Sequence, residues 1–436
     1  MDRIVSKMII YTDMPKDSIL EELCEICREI DKKRDIDRAS LTKKVYKQIR
    51  KLLVLATNYG FNKNLWHDYL TFMLVMDENP FSLTCEMMGS GEGSVNAFAK
   101  NDFTAIKALF DYDFSYIEEK LEIDCFSTIT NYTAIKKPEL LYNKYVSEKV
   151  RALSDKIANA KDGEEVFELV TSFYREYGVG TFGMNKAFRI ERDKKGELVF
   201  LPINNMDKVV LDDLVGYESQ KKKLIDNTRA FVEGKKANNV LLYGDSGTGK
   251  STSVKAIANE YYEKGLRLIE IYKHQFKDLS SVIAQIKNRN YRFIIFLDDL
   301  SFEEFETDYK FLKAVIEGGV ETKPENVLIY ATSNRRNLIR ETWKDRDDIM
   351  TDDDDVHHMD TMEEKLSLAH RFGVTINYSK PSRREYFEIV KELAKRNSIE
   401  QEWETLEKEA SIWEMYHGGT APRCAQQFIN HKLGEK

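Results

Sequence analysis

The sequence predicts an α/β fold around a five-stranded parallel sheet, with a helical N-terminal domain before it and a small helical region after it. Two observations predict this architecture. Five short apolar runs between residues 205 and 380 are separated by helical segments, as in a parallel sheet covered on both faces. Residues 1–180 and 381–436 instead carry the spacing of amphipathic helices.

A chain of 436 residues is too long for one compact core, so we expect more than one domain. The first 180 residues predict a mostly α-helical domain. The segment "SLTKKVYKQIRKLLVLATNYG" illustrates the pattern. It places apolar side chains on one face of a helix, and Gly60 is a plausible stop. The residues on that predicted face are Leu41, Val45, Ile49, Leu52 and Leu53.

Residues 181–204 predict a β-hairpin that links the helical domain to the α/β core. The stretch "AFRIERDKKGELVFLPI" alternates in polarity on both sides of a "DKKG" turn. We therefore expect the α/β core to cover residues 205–380. Three helical segments in residues 381–436 then predict a C-terminal lid.

The five apolar runs are the candidate strands of the core. Each is short and almost continuously apolar, which is typical of buried parallel strands. They are "NVLLYG", "LRLIEIY", "RFIIFLDD", "NVLIYATSN" and "VTINYS".

The composition narrows the choice of partners and compartment. A net charge of -8 disfavours a surface generally coated by nucleic acid and favours a protein partner. No apolar run is long enough to span a membrane, and the N-terminus lacks the pattern of a signal peptide. Five scattered cysteines, two of them in "CEIC", fit reduced thiols that pack in helices. These features predict a cytoplasmic protein without a membrane partner.

The first strand runs into the motif G-x-x-x-x-G-K-[ST], within "NVLLYGDSGTGKST". Glycines at such a turn let backbone N–H groups surround phosphates, and the following helix directs its positive end at the anion. Lys250 is expected to reach the β- and γ-phosphates, and Ser251 to ligate Mg²⁺. The motif therefore predicts a site for ATP and Mg²⁺. Its predicted binding residues are Gly244, Asp245, Ser246, Gly247, Thr248, Gly249, Lys250, Ser251 and Thr252.

Two later strands end in polar residues that complete this site. Asp298 follows the run "RFIIFL" directly and is the predicted second Mg²⁺ ligand opposite Ser251. Asp299 is the candidate that polarises the attacking water, although it could instead cap the following turn. Asn334 ends the next strand and could hold the same water, or could simply belong to a turn. Glu303 and Glu304 are weaker candidates for the water, because they require the chain to fold back.

Taken together, these motifs resemble the AAA+ ATPases over residues 205–434. The resemblance implies that Val215 and Gly216, in "DDLVGYESQKKKL", line the adenine pocket. It implies that Asn334 is the sensor-1 residue. It also implies that Arg371, in "HRFG", is an arginine finger for a neighbouring subunit, and that Arg423 is the sensor-2 residue of the lid.

A closer resemblance spans nearly the whole chain. The stretches "NPFSLTCE", "YGVGTFGMNKAFRI" and "DDLSFE" look like a bacterial family known only as predicted AAA+ ATPases of unknown function. Two positions depart from most AAA+ motors: Asp299 stands where they carry Glu, and His370 stands where an Asp precedes the finger. The alternative fingers are Arg335, Arg336, Arg340 and Arg346.

The resemblance implies an ATPase that assembles into a ring or spiral and remodels or loads a macromolecular partner. The shorter Asp299 predicts slow hydrolysis, because one methylene moves the carboxylate by roughly 1 Å. The alternative is a switch or scaffold that is gated by ATP and hydrolyses it negligibly. The acidic run 345–360 is expected to be a solvated loop, with a divalent cation site as the alternative.

Overall fold

The computed structural model describes residues 1–12, 17–32, 37–135, 143–204, 206–302, 308–317, 324–335, 338 and 368–435. The chain divides into two compact units, Met1–Asn185 and Lys186–Lys436. Within the described residues, no helix combines the length and the apolar character that crossing a membrane requires.

The regular secondary structure of the first unit is helical in its described part, apart from one isolated β-bridge between Lys63 and Tyr132, and the unit has one hydrophobic core. Its helices are α1 Asp2–Val5, α2 Ile19–Lys32, α3 Arg38–Tyr59, α4 Leu65–Met76, α5 Pro80–Met88, α6 Val95–Phe110, α7 Ser115–Leu121, α8 Phe126–Thr130, α9 Lys144–Ala158, α10 Gly163–Tyr177 and α11 Gly180–Met184.

Helix α3 shows how local sequence sets these boundaries. Asp37 caps its start by accepting a hydrogen bond from Ser40 N, and Gly60 ends it in the left-handed conformation at φ 64°. The predicted apolar face is wrong in one residue, since Leu53 is exposed and Gln48 is buried instead. Leu53 lies about 100° around the helix from the buried Leu52, which turns it away from the core.

The two cysteines of "CEIC" lie in α2 and are both buried in the core. Burial raises the pKa of Cys24 to about 12. All five cysteines are among the described residues, and none forms a disulfide. The pair at residues 24 and 27 therefore serves as packing surface rather than as a reactive dithiol.

The second unit is built on a seven-stranded sheet with the order β2-β1-β4-β5-β6-β3-β7. The hairpin strands β1 and β2 pair antiparallel, and every other neighbouring pair is parallel. The strands are β1 Ala187–Arg192, β2 Leu198–Pro202, β3 Val240–Gly244, β4 Leu266–Glu270, β5 Arg292–Leu297, β6 Val327–Ser333 and β7 Val374–Tyr378.

The five predicted apolar runs all form strands, but the predicted sheet of five strands is too small. The hairpin predicted to link two domains instead extends this sheet. Its strand β1 pairs with β4, from Ala187 opposite Leu268 to Arg189 opposite Glu270. Its buried residues Phe188 and Ile190 explain why it docks there rather than standing free.

Helices cover the sheet and continue after its last strand. Within the described residues they are α12 Glu218–Val232, α13 Lys250–Tyr261, α14 Leu279–Ile286, α15 Tyr309–Glu317, α16 Arg383–Arg396, α17 Trp403–Tyr416 and α18 Pro422–Gly434. Short 3-10 turns lie at Leu211–Asp213, Tyr262–Lys264 and Lys273–Asp278. Helices α16–α18 share a hydrophobic core of their own and are called the C-terminal bundle below.

The strand order decides which side chains meet. Strand β6 lies between β3 and β5, although it follows both in sequence. Parallel strands bring their carboxyl ends to the same edge of a sheet. The residues after β3, β5 and β6 are therefore neighbours at that edge.

Candidate functional site

The loop after β3 forms the floor of a cleft of about 490 Å³. Residues 246–252 all line this cleft, and α13 begins at Lys250 with its N-terminus directed into it. Gly244 has φ 129°, and a Cβ there would lie 2.3 Å from the Tyr378 carbonyl oxygen. Gly249 has φ 92°, and a Cβ there would lie 2.3 Å from Leu214 Cδ2. Glycine is thus required at both ends of the loop.

Lys250, the first residue of α13, is buried, with 6% of its surface exposed. Its Nζ donates to the carbonyl oxygens of Gly244 and Asp245, at 2.8 and 2.7 Å, and to Asn334 Oδ1 at 3.1 Å. Burial lowers the pKa of Lys250, and the nearby carboxylates, Asp245 first among them, act in the opposite direction. These three hydrogen bonds use all the donors of the ammonium group and fix its positive charge at the cleft.

Asp298 accepts two short hydrogen bonds on one carboxylate oxygen. Ser251 Oγ donates to Oδ1 at 2.6 Å, and Thr332 Oγ1 donates to the same atom at 2.5 Å. A hydroxyl and a carboxylate in contact are the hard oxygen ligands that Mg²⁺ prefers. The structure thus brings together the two residues that the sequence predicts as metal ligands.

Asp299 lies one residue further on and faces Asn334. Asn334 Nδ2 donates to Asp299 Oδ1 at 2.8 Å, while the oxygen of the same amide accepts from Lys250. Asp299 has φ 52°, in the left-handed region, and its N–H donates to Thr332 Oγ1 at 2.9 Å. A chain of hydrogen bonds therefore connects Lys250 to both aspartates through Asn334 and Thr332.

Part of the cleft lining is apolar. Leu214 and Val215 reach it from the segment before α12, while Ile389 and Leu393 reach it from successive turns of α16. Tyr217 also lines the cleft, stacked on Tyr378 with 5.1 Å between ring centroids. Apolar and aromatic surroundings of this kind suit a nucleotide base.

Three predicted site residues, Gly216, Gly244 and Asp245, stand beside the cleft rather than in its lining. Gly216 adopts φ 84° next to Val215. Asp245 accepts a hydrogen bond from Lys380 N at 2.7 Å, which ties the phosphate loop to the chain just after β7. Its contribution to the cleft is the carbonyl that holds Lys250.

Arg423 extends from the C-terminal bundle to the phosphate loop. It lines the cleft at the start of α18, and its N–H donates to the Gly247 carbonyl at 3.1 Å. A Cβ on Gly247 would lie 3.2 Å from Arg423 Cβ. Gln426, one turn further along α18, lines the same cleft.

Arg371 lies outside the lining of its own chain's cleft. Its guanidinium forms an ion pair with Glu317 at the end of α15. Of the alternative fingers, Arg335 is exposed just after Asn334, while Arg336, Arg340 and Arg346 lie outside the described residues. Glu303, Glu304 and the acidic run 345–360 also lie outside them. In the part of the chain that is described, no group of three or more acidic, His or Cys side chains could hold a metal.

Some of these functional positions escape sequence reasoning. Thr332 was visible only as one polar residue among three at the end of β6, with nothing to distinguish its hydroxyl. Ile389 and Leu393 were recognisable as the apolar face of a helix, spaced four residues apart. Only the fold shows that they face a cleft and not just the core of the bundle.

The residues present fit a nucleoside triphosphate with Mg²⁺. Any side chain at Gly244 or Gly249 would collide with Tyr378 or Leu214. Glycine at these two positions therefore allows the tight loop conformation in which backbone N–H groups can surround a phosphate. Lys250 supplies positive charge, and the pair formed by Ser251 and Asp298 supplies oxygen ligands. Together with the strand order, this geometry defines a P-loop nucleotide-binding protein of the AAA+ type.

The chain belongs to the family described as "Protein of unknown function (DUF815)", whose model matches residues 183–436. This confirms the resemblance to an AAA+ family without an assigned task.

Replication factor C subunit 3 shows local sequence similarity to the chain. The protein from Blastobotrys adeninivorans is 29% identical over 106 residues, which cover 24% of this chain and 30% of that protein. The one from Saccharomyces cerevisiae is 31% identical over 97 residues, covering 20% and 27%. The chain thus spans less than a third of the length of these relatives.

Solved structures of Thermotoga maritima RuvB are also similar. The RuvB Holliday junction branch migration motor is 16% identical, with 52% of this chain and 71% of that chain covered and a TM-score of 0.32. A point mutant of the same protein is 19% identical, with 51% and 63% covered and a TM-score of 0.36. At these levels, the activity of the present chain has to be argued from its own residues.

Proposed function

We propose that the protein binds ATP with Mg²⁺ and hydrolyses it slowly. The observation that carries this proposal is the hydrogen-bonded chain from Lys250 through Asn334 to Asp299, with Asp298 bonded to Ser251 beside it. Phosphoryl transfer needs mainly positioned charge and a positioned water. Lys250, Ser251 and Asp298 would hold the triphosphate and the metal. Asp299 and Asn334 would orient the water.

Phosphate release tests this proposal directly. We expect wild type to release phosphate from ATP only with Mg²⁺, and Lys250→Ala to lose ATP binding and hydrolysis together. Glu260→Ala, on an outward position of the same α13 helix, is the matched control and should behave as wild type. Wild-type release no faster than that of Lys250→Ala would refute hydrolysis.

The second candidate is a switch that binds ATP and hydrolyses it negligibly. The observation that favours it is the side chain of Asp299, which is one methylene shorter than the usual glutamate. Measured ATP binding by wild type, without phosphate release above that of Lys250→Ala, is the outcome that selects this candidate.

We further propose that hydrolysis depends on assembly into a ring or spiral, with Arg371 acting on the neighbouring subunit. Arg371 lies away from its own cleft, which supports a role in trans. Mixing Arg371→Ala with Lys250→Ala gives a sharp test, because one variant keeps an intact cleft and the other keeps the arginine. We expect each to be inactive alone and the mixture to be partly active. An inactive mixture, or a monomer at all concentrations with and without ATP, contradicts the role in trans.

The client is proposed to be a macromolecule that the assembly remodels or loads. The net charge of -8 favours a protein over nucleic acid, and the composition favours a cytoplasmic setting. Pull-down with Asp299→Asn in the presence of ATP, compared with Lys250→Ala as the control that cannot bind nucleotide, tests this choice. Recovery of nucleic acid that stays bound at high salt would contradict the choice of a protein client.

A further inference from the structure

We propose that Thr332 is a positioning residue that locks the turn after β5 and so directs Asp298 and Asp299 into the cleft. This inference rests on the proposed ATPase function and deepens it. It explains how the short side chain of Asp299 is kept within reach of the attacking water.

Thr332 contacts three consecutive residues of the turn. Its hydroxyl donates to Asp298 Oδ1 at 2.5 Å and accepts from Asp299 N at 2.9 Å. Its carbonyl oxygen accepts from Leu300 N at 2.7 Å. A threonine hydroxyl has one hydrogen to donate and lone pairs to accept, so this arrangement uses both capacities at once.

The hydroxyl is held rigidly in this place. Thr332 has 1% of its surface exposed, and β6 pairs it with Leu242 of β3. On its other side, β5 pairs Leu297 with Ala331, the residue just before Thr332. A β-branched side chain in a central strand has little rotamer freedom. The sheet therefore serves as a fixed template for the turn.

The turn it holds places Asp299 in an uncommon conformation. Asp299 has φ 52°, which aspartate tolerates better than longer side chains do. From this backbone, its carboxylate reaches Asn334 Nδ2 at 2.8 Å. The left-handed turn thus aims the short side chain, and the Thr332 hydroxyl is the side-chain group that secures the turn on the described structure.

The test compares Thr332→Val, which keeps the shape and removes the hydroxyl, with Thr332→Ser, which keeps the hydroxyl. For Thr332→Val we expect kcat for ATP hydrolysis to fall about 10- to 100-fold, because a misplacement of about 1 Å has that effect. We expect the half-saturating Mg²⁺ concentration to rise about tenfold, as when other groups that orient a metal ligand are removed. ATP affinity measured in EDTA should stay within about twofold, and Thr332→Ser should restore kcat to within about threefold.

Several outcomes would overturn the inference. Unchanged kcat and Mg²⁺ dependence in Thr332→Val is one, and equal losses in the Val and Ser variants is another. Thermal unfolding checks that the Thr332→Val and Thr332→Ser variants are folded. Thr332→Ala replaces the Val variant if that variant does not fold. If wild type hydrolyses no ATP, the proposed function fails on its own. The Mg²⁺ dependence of binding a fluorescent ATP analogue then still decides the role of Thr332.

Asp299→Glu provides an independent test of the inference. Glutamate is less suited to φ 52°, and its longer chain would extend past the position that Asn334 now marks. Although the shorter side chain taken alone predicts slower hydrolysis than a glutamate gives, the backbone at φ 52° suits aspartate, so we expect the Glu variant to hydrolyse ATP more slowly than wild type. A faster Asp299→Glu enzyme would refute the idea that the turn is adapted to aspartate.

Discussion

Replacing Asp299 by Asn isolates the negative charge of this residue from its geometry. Asparagine has the same shape and adopts positive φ readily, so the backbone at φ 52° can persist. Its side-chain oxygen can still accept from Asn334 Nδ2, and its N–H can still donate to Thr332. The phosphate loop is untouched. The change therefore removes the ability to take a proton and little else.

The magnitude follows from the proposed role. A positioned general base contributes about 10²- to 10⁴-fold to a rate. At about 1.4 kcal/mol for each factor of ten, this corresponds to about 3–5 kcal/mol of transition-state stabilisation. We expect kcat to fall by that factor, while ATP affinity stays within about threefold because the phosphate contacts remain.

The assay is single-turnover phosphate release, combined with binding of a fluorescent ATP analogue. Asp298→Asn is the contrasting variant, because it removes a proposed metal ligand. It should raise the Mg²⁺ requirement, whereas Asp299→Asn should not. If Asp299→Asn keeps kcat within about threefold of wild type, Asp299 does not activate the water, and the reasoning from its contact with Asn334 fails.

Three further predictions follow from individual contacts. Burial lowers the pKa of Lys250, and bound phosphates would favour its charged form, so ATP affinity should fall as the pH rises through this lowered pKa, at a lower pH than for an exposed lysine. Titrations of ATP binding at alkaline pH should show this fall in wild type and a much flatter profile in Lys250→Arg. Gly244→Ala should lower the free energy of unfolding by about 3 kcal/mol or more, because it combines a strained φ with a backbone collision. Gly265→Ala, where φ is 88° and the space is open, should cost about 1 kcal/mol in the same denaturant experiment, and equal losses would contradict the collision. Arg423→Ala should raise the Kd for ATP about tenfold but change the Kd for ADP little, because the proposed sensor-2 role would place its charge at the end of the triphosphate. Equilibrium binding measures both constants, and equal losses for the two nucleotides would contradict that role.

The candidate site shows how far sequence reasoning reaches. The phosphate motif requires particular residues at particular spacings within one loop, so Lys250 and Ser251 are recognisable without a structure. Asp298 follows from the rule that strand ends meet at one edge of a parallel sheet. Local alternation predicts the two paired strands of the hairpin at 181–204, which the structure contains, but it says nothing about the sheet that they join.

The sequence by itself determined the α/β core, its five apolar strands and the phosphate loop, because periodicity and motif spacing are local properties of the chain. Only the tertiary structure decided that β6 inserts between β3 and β5. This insertion places Asn334 between Lys250 and Asp299. It also makes the Thr332 hydroxyl the support of both aspartates. Such contacts join residues more than thirty positions apart, and they depend on strand order and register, which no local pattern encodes.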